Sequence, residues 1–147
     1  MEVRLNRAEF LNELVPMQGI VERRTTIPVL SHLLLRASDS RFQIAATDLE
    51  VSLTSWCGAE VEEEGAIAIQ AKKLLEIIRA SSGDEVTLRI DDGFMTILVG
   101  RSRFKIRGLP HEDFPTLPSI DDAVPLRIPF TAFRDMIGKV FFAISSE

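Results

Sequence analysis

A strand-to-helix unit occurs three times along this chain, and it restricts the fold more than any other feature. With Leu5, Ile69 and Ile128 in register, the segments VRLNRAEFLNEL, IAIQAKKLLEII and LRIPFTAFRDMI align. Each begins with apolar residues at alternate positions: Val3 and Leu5, Ile67 and Ile69, Leu126 and Ile128. Five residues later comes Phe10, Leu74 or Phe133, and four further on Leu14, Ile78 or Ile137. Alternation turns one side of an extended chain toward a core, whereas a spacing of four keeps side chains on one helix face. The copies lie about 60 residues apart, longer than a solenoid repeat and near half a domain. The pattern predicts a duplicated α+β fold with two helices packed on one face of an antiparallel sheet. The third copy is expected to open a second domain and to be cut short soon after it begins.

Between the copies the local signals are mostly those of strands. Asn6 is a candidate N-cap with Glu9 placed to complete a capping box, and the first helix should bury Phe10, Leu11, Leu14 and Val15. Pro16 predicts a kink or an end near residues 17–19. HLLLRAS and RFQIAATD, joined by Asp39–Ser40, read as a hairpin, and EVSLTSWCGAEV as a further strand running into a Glu-rich turn. In the second helix, Leu74, Leu75, Ile77 and Ile78 lie opposite Lys72, Glu76 and Arg79, and Gly83 is its expected stop. EVTLRI and FMTILVG flank Asp91–Asp92–Gly93, a strong hairpin signal. RSRFKIRGL is another alternating strand, and the proline-punctuated stretch PHEDFPTLPSIDDAVP reads as a linker. The expected division is a first domain over 1–118, a linker over 119–125 and the opening of a second domain over 126–147.

Composition narrows the setting. The 147 residues are 46% apolar and 27% charged, ordinary for a packed soluble domain. No apolar run reaches the roughly 18 residues of a membrane span, and charges interrupt residues 1–21, so neither a span nor a secretory leader is expected there. The lone Cys57 excludes an internal disulfide and agrees with a reducing, cytoplasmic compartment. A net charge of −5 argues against a nucleic-acid partner if taken as a sum. Its distribution is segregated, however. Acidic residues gather at Glu60 and Glu62–Glu64, basic ones at Arg23–Arg24, Lys72–Lys73 and Arg101, Arg103, Lys105, Arg107.

The segments VERRTTIPVLSHLLL, ATDLEVSL, QAKKLLEIIR and GRSRFKIRGLPHEDFPTLP, in this order, closely resemble the bacterial DNA polymerase sliding clamp, the beta subunit of DNA polymerase III. The resemblance runs along the whole chain and corresponds to the first domain of that family plus the opening of the second. It implies a processivity factor: two subunits, each of three duplicated domains, close as a homodimer ring around duplex DNA with helices lining the hole. It also implies replicative polymerase and clamp loader as partners of the full-length protein, no cofactor, and a fragment unable to close a ring alone. Arg24 and Lys72 match positions that approach DNA in the family. Lys73, Arg23 and Arg79 are further candidates, with Arg7, for which a solvated surface charge explains the residue equally well. The strand after Gly100 matches the subunit interface, with Phe104 and Ile106 at apolar contacts and Arg101 and Arg103 placed for ion pairs. Lys105 and Arg107 are not carried over, a charge-guarded edge strand being sufficient for them.

Enzymatic alternatives find little support. Asp48 with Glu50, or Asp91 with Asp92, could be offered as metal ligands of a nuclease or hydrolase, but turn formation accounts for both. His32 and His111 lack a nucleophile at a recognisable spacing, and no zinc spacing or glycine-rich phosphate loop occurs. The reading is therefore non-catalytic and metal-free. Its main rival is a stand-alone interaction module that adds a partner strand along residues 101–107.

Overall fold

The computed structural model describes residues 1–21, 27–117 and 124–144, and the chain divides into two compact units, Met1–Leu117 and Pro118–Glu147. The first unit runs β1 (Glu2–Asn6), α1 (Arg7–Met17), β2 (His32–Ser38), β3 (Arg41–Thr47) and β4 (Ser52–Glu63). It then repeats the same order as β5 (Gly65–Gln70), α2 (Ala71–Ala80), β6 (Glu85–Asp91), β7 (Phe94–Val99) and β8 (Ser102–Arg107). The duplication read from the repeated unit is thus a strand–helix–three-strand module used twice.

The two modules do not sit side by side as separate sheets. The antiparallel order is β5-β2-β3-β4-β1-β6-β7-β8, so the opening strand of each module pairs with the hairpin strands of the other. The modules meet at β1–β6 and β2–β5, while within the first module β4 spans two neighbours: its first part pairs with β3 and Ala59–Glu63 pairs with β1. The glutamate-rich stretch expected to turn therefore continues β4 through Glu63, because β1 offers it a ladder. Leu109, two residues after β8 in sequence, makes a bridge to Ala68 of β5, the strand at the other end of the sheet order, with two backbone hydrogen bonds of 3.0 and 2.8 Å.

Both helices cover one face. Leu74, Leu75 and Ile78 of α2 and Phe10, Leu14 and Met17 of α1 are buried against Val3, Leu5, Leu35, Ile44, Ile69, Val86, Leu88 and Ile97. Phe10 meets Phe42 edge-on, with ring centres 5.6 Å apart. Each such side chain, fully withdrawn from water, contributes roughly 1.5–3 kcal/mol before the entropy of ordering it. Asn6 caps α1 as expected, its carboxamide oxygen accepting from Ala8 N and Glu9 N at 3.0 and 3.1 Å. Val15, expected inside, is 43% exposed, and Met17 is buried in its place. Continuing the spacing from Phe10 and Leu14 leads to residue 17, and the helix keeps its phase up to its end despite Pro16. α2 ends at Ala80 with Ser81 as its C-cap, two residues before Gly83. The Ser81 N–H and hydroxyl both donate to Ile77 O, at 3.0 and 2.7 Å, closing the last turn.

Gly83 has a different task. A Cβ there would lie 3.2 Å from Gly100 N, and one on Gly100, whose φ is +56°, would lie 2.6 Å from Ser82 O. The loop after α2 thus presses backbone to backbone on the β7–β8 turn. Hairpin turns at Asp39–Ser40 and Asp92–Gly93 take the left-handed conformations expected of tight two-residue loops.

The proline-rich stretch after β8 is not all linker. Leu109, Phe114 and Leu117 pack with Val29, Leu34, Ala45 and Ala68 as a second apolar cluster apart from the main core. Ala45 and Ala68 are the strand residues that alternate away from Ile44, Ile67 and Ile69, so this cluster lies on the sheet face opposite the helices. In the second unit, α3 (Phe130–Val140) forms with the repeat's helical spacing, and Phe130, Phe133 and Phe142 are exposed. The strand expected at Leu126 and Ile128 is not formed. Residues 124–129 make no ladder, and extended chain without a paired neighbour has no bonds to define it as a strand.

Candidate nucleic-acid interface

Ala71, Leu74, Leu75 and Ile78 of α2 point into the core, so the helical period forces Lys72, Lys73, Glu76 and Arg79 into solvent. Lys72 Nζ stands 4.0 Å from Glu76 Oε1, with both side chains well exposed. Lys72, Glu76 and Arg79 also line one wall of a groove of about 470 Å³ shared with Gln18, Val21, Ser31 and Gln70.

Two features of α2 run against helix stability. Lys72 and Lys73 lie in the first turn, where the macrodipole is already positive, and no acidic residue or capping side chain offsets them. Each misplaced cation costs about 0.3–1 kcal/mol at low salt. The Lys72–Glu76 pair recovers little, because lysine preceding glutamate by four is the weaker orientation and the pair is solvated. The same arrangement concentrates positive potential at one end of the helix, which suits an anionic partner.

Of the other sequence candidates, Arg23 and Arg24 lie outside the described residues. Arg7 faces inward. Its Nε donates to Gly83 O at 2.6 Å, its Nη1 donates to Ile78 O at 3.3 Å, and its backbone N–H meets Asp84 O at 2.8 Å. It ties the start of α1 to the end of α2. Nothing periodic in the sequence marks such a side-chain-to-carbonyl contact.

β8 is the last strand of the sheet order, and its outer edge has no strand partner among the described residues. Arg103, Lys105 and Arg107 are exposed, while Phe104 and Ile106 alternate toward the core and are half-buried against it. Arg101 does not belong to that row; it lies in the turn before β8, because the strand begins at Ser102. Lys105 Nζ stands over the Phe94 ring at 4.6 Å, a cation–π contact within the sheet.

On the opposite sheet face, Arg4 pairs with Glu60 and Glu62, and Arg89 with Glu2 at 2.6 Å. These arginines are neutralised by neighbouring strands. The groups weighed for catalysis have structural occupations. Asp48 Oδ1 accepts from Glu50 N and Val51 N at 2.9 and 2.6 Å, an Asx turn. The Val51 N–H does most to hold its carboxyl below the ordinary value. His32 Nδ1 lies 2.9 Å from Pro28 O, and burial pushes its pKa down, with that bond opposing. Burial raises the Cys57 thiol to about 11, with Glu13 and Glu9 adding to the effect, so it is a poor nucleophile at neutral pH. Among the described residues no three His, Cys, Asp or Glu side chains converge as a metal site, and no helix is long and apolar enough to cross a membrane.

Comparison with known proteins gives the same fold in detail. Residues 1–118 match the family model described as the DNA polymerase III beta subunit, N-terminal domain. The beta sliding clamp of Caulobacter vibrioides is 37% identical over 150 residues, covering all of this chain and 40% of the relative. A crystal structure of the DNA polymerase sliding clamp from Caulobacter crescentus superposes with a TM-score of 0.90 at 37% identity, over 100% of this chain and 40% of that one. One from Bacillus subtilis reaches 0.94 at 24% identity, over 100% and 41%, a likeness of fold. The chain thus spans about 40% of the length of the curated relatives it matches. An exchanged pair of strand–helix–three-strand modules with this sequence places the chain in the DNA polymerase III beta subunit family, the sliding clamps.

Proposed function

We propose that the chain serves as the first domain, with the opening of a second, of a processivity factor that encircles duplex DNA and tethers the replicative polymerase during replication. Residues 1–118 act as the clamp domain, 119–125 as a linker and 126–147 as the start of the next domain. The role is non-catalytic and cytoplasmic. A homodimer ring, the polymerase and a clamp loader are the partners of the full-length protein. Lys72, Lys73 and Arg79, with Arg23 and Arg24, meet phosphates without reading bases, while Arg101, Arg103, Phe104 and Ile106 meet the neighbouring subunit.

Beyond family membership, the observation that carries the DNA reading is the placement of Lys72 and Lys73 in the uncapped first turn of α2, where they destabilise their own helix. A contact that must hold DNA and still slide needs diffuse, salt-sensitive attraction of this kind. The test is the salt dependence of duplex binding by the chain and by a K72A/K73A double variant. Loss of both lysines is expected to weaken binding equally for all sequences and to lower the log–log salt slope by about 2. Unchanged binding, or stoichiometric manganese binding at the carboxylates, would refute the reading. The rival reading, a stand-alone module pairing a protein strand along the free edge of β8, predicts no duplex affinity and partner binding indifferent to both lysines.

A further inference from the structure

We infer that Glu76 is a detuning residue of the α2 face: its carboxylate holds the phosphate affinity of the helix below what its lysines and arginine would otherwise give. The inference rests on the DNA reading of α2 and names the residue that sets the strength of that contact.

Three cations lie within one turn of this one carboxylate. Lys72 precedes Glu76 by four residues, Lys73 by three, and Arg79 follows by three, all on the solvent side of α2. These are the spacings at which helical side chains are neighbours. The 4.0 Å separation sets the carboxylate beside the Lys72 ammonium, and Glu76 lines the same groove as Lys72 and Arg79. A stabilising role accounts poorly for it, since the pair is solvated and in the weaker orientation. Its effect on an arriving phosphate is direct. The phosphate must displace Glu76 from Lys72, and it meets a like charge on the wall it approaches. A binding face made only of Lys72, Lys73 and Arg79 would release more counterions per contact and grip more tightly. For a surface that has to slide, weaker and more evenly distributed attraction is the useful state.

The test is Glu76→Gln, which keeps size and hydrogen-bonding capacity and removes the charge. The probe is a short fluorescein-labelled duplex, read by anisotropy at low ionic strength. A unit charge about 4–8 Å from a phosphate in water corresponds to a change of about two- to fivefold in affinity. E76Q is therefore expected to bind about two- to fivefold more tightly than the wild type, with the gain fading as salt shortens the Debye length. Glu85→Gln is the control: it makes the same change in net charge on β6, at a position alternating with buried Val86 and Leu88 and so facing away from the helices. Lys72→Ala tests the underlying reading. If K72A weakens binding while E76Q is unchanged, or gains no more than E85Q, the inference falls and the DNA reading of α2 stands. If neither K72A nor E76Q alters binding, or the wild type shows none at low salt, both fall. Circular dichroism melts of the variants keep a folding defect from being read as an affinity change.

Discussion

Substituting Gly100 by alanine separates two physical costs that are usually measured together. Its φ of +56° is a left-handed conformation, which costs a residue with a Cβ about 1–2 kcal/mol. The new Cβ would also stand 2.6 Å from Ser82 O, a backbone atom that cannot swing aside, so the β7–β8 turn and the loop after α2 must separate. Forcing such a contact typically costs about 1–3 kcal/mol. G100A is therefore expected to lose about 2–5 kcal/mol of a domain stability that is typically 5–15 kcal/mol. Gly93 isolates the first cost: its φ is +72°, but a Cβ there meets nothing within 4 Å. G93A should lose only about 1–2 kcal/mol. Gly58 carries neither cost, because its φ is not left-handed and its Cβ position is open. G58A is expected to be neutral or to gain up to about 1 kcal/mol by restricting the unfolded chain. Urea melts followed by circular dichroism and by the emission of the single tryptophan, Trp56 on β4, supply the measurement. Equal losses in G93A and G100A would refute the backbone contact. A loss in G58A matching that of G93A would refute the conformational term.

Arg7→Ala removes the bonds to Gly83 O and Ile78 O, and a loss of about 1–2 kcal/mol is expected, toward the low end for charged donors because the side chain is only half-buried. Hydrogen exchange should quicken at residues 83–85 and 101–103 and stay unchanged in β2 and β3; uniform acceleration would contradict a local tie. Cys57 gives a pH prediction. A thiol raised from 9.0 to about 11 keeps its proton longer in the folded than in the unfolded state, so its contribution to stability is whole below pH 9 and lost as pH rises toward 11. Cys57→Ala should flatten that part of the alkaline decline in stability; an identical pH profile would show that the thiol is not the group responsible.

The repeated unit was readable because amphipathic helices and alternating strands advertise themselves, and α2 matches its sequence pattern closely. The departures have local causes. The helix ends at Met17, as Pro16 led one to expect, and Met17 rather than Val15 is in the core because it continues the spacing from Phe10 and Leu14. Glu62 and Glu63 looked like a turn, yet β1 supplies a pairing partner that no local pattern can announce. Phe114 was hidden among prolines and acids, a composition that usually means linker, and its burial depends on the small residues Ala45 and Ala68 far away in sequence. Leu126 and Ile128 show the reverse case: a strand pattern needs neighbours to become a strand. At the candidate interface, exposure of Lys72, Lys73 and Arg79 followed from helix phase. The commitment of Arg7 to two carbonyls and the turn position of Arg101 did not, because neither a side-chain-to-carbonyl bond nor the first residue of a strand leaves a periodic mark.

The exchange of opening strands between the two modules also governs how such a fold can come into being. β2, β3 and β4 have no complete sheet until β5 arrives, and β1 has no second neighbour until β6 has been made. On a ribosome, the first strand synthesised must therefore wait for residues 85–91 before its outer edge is paired. Pairings this distant in sequence slow folding, since the chain loses loop entropy before it gains contacts. A single module alone would have an empty slot shaped for the first strand of a second copy. Covalent linkage of the two modules in one chain makes the closing of that slot an intramolecular step instead of an encounter between two molecules.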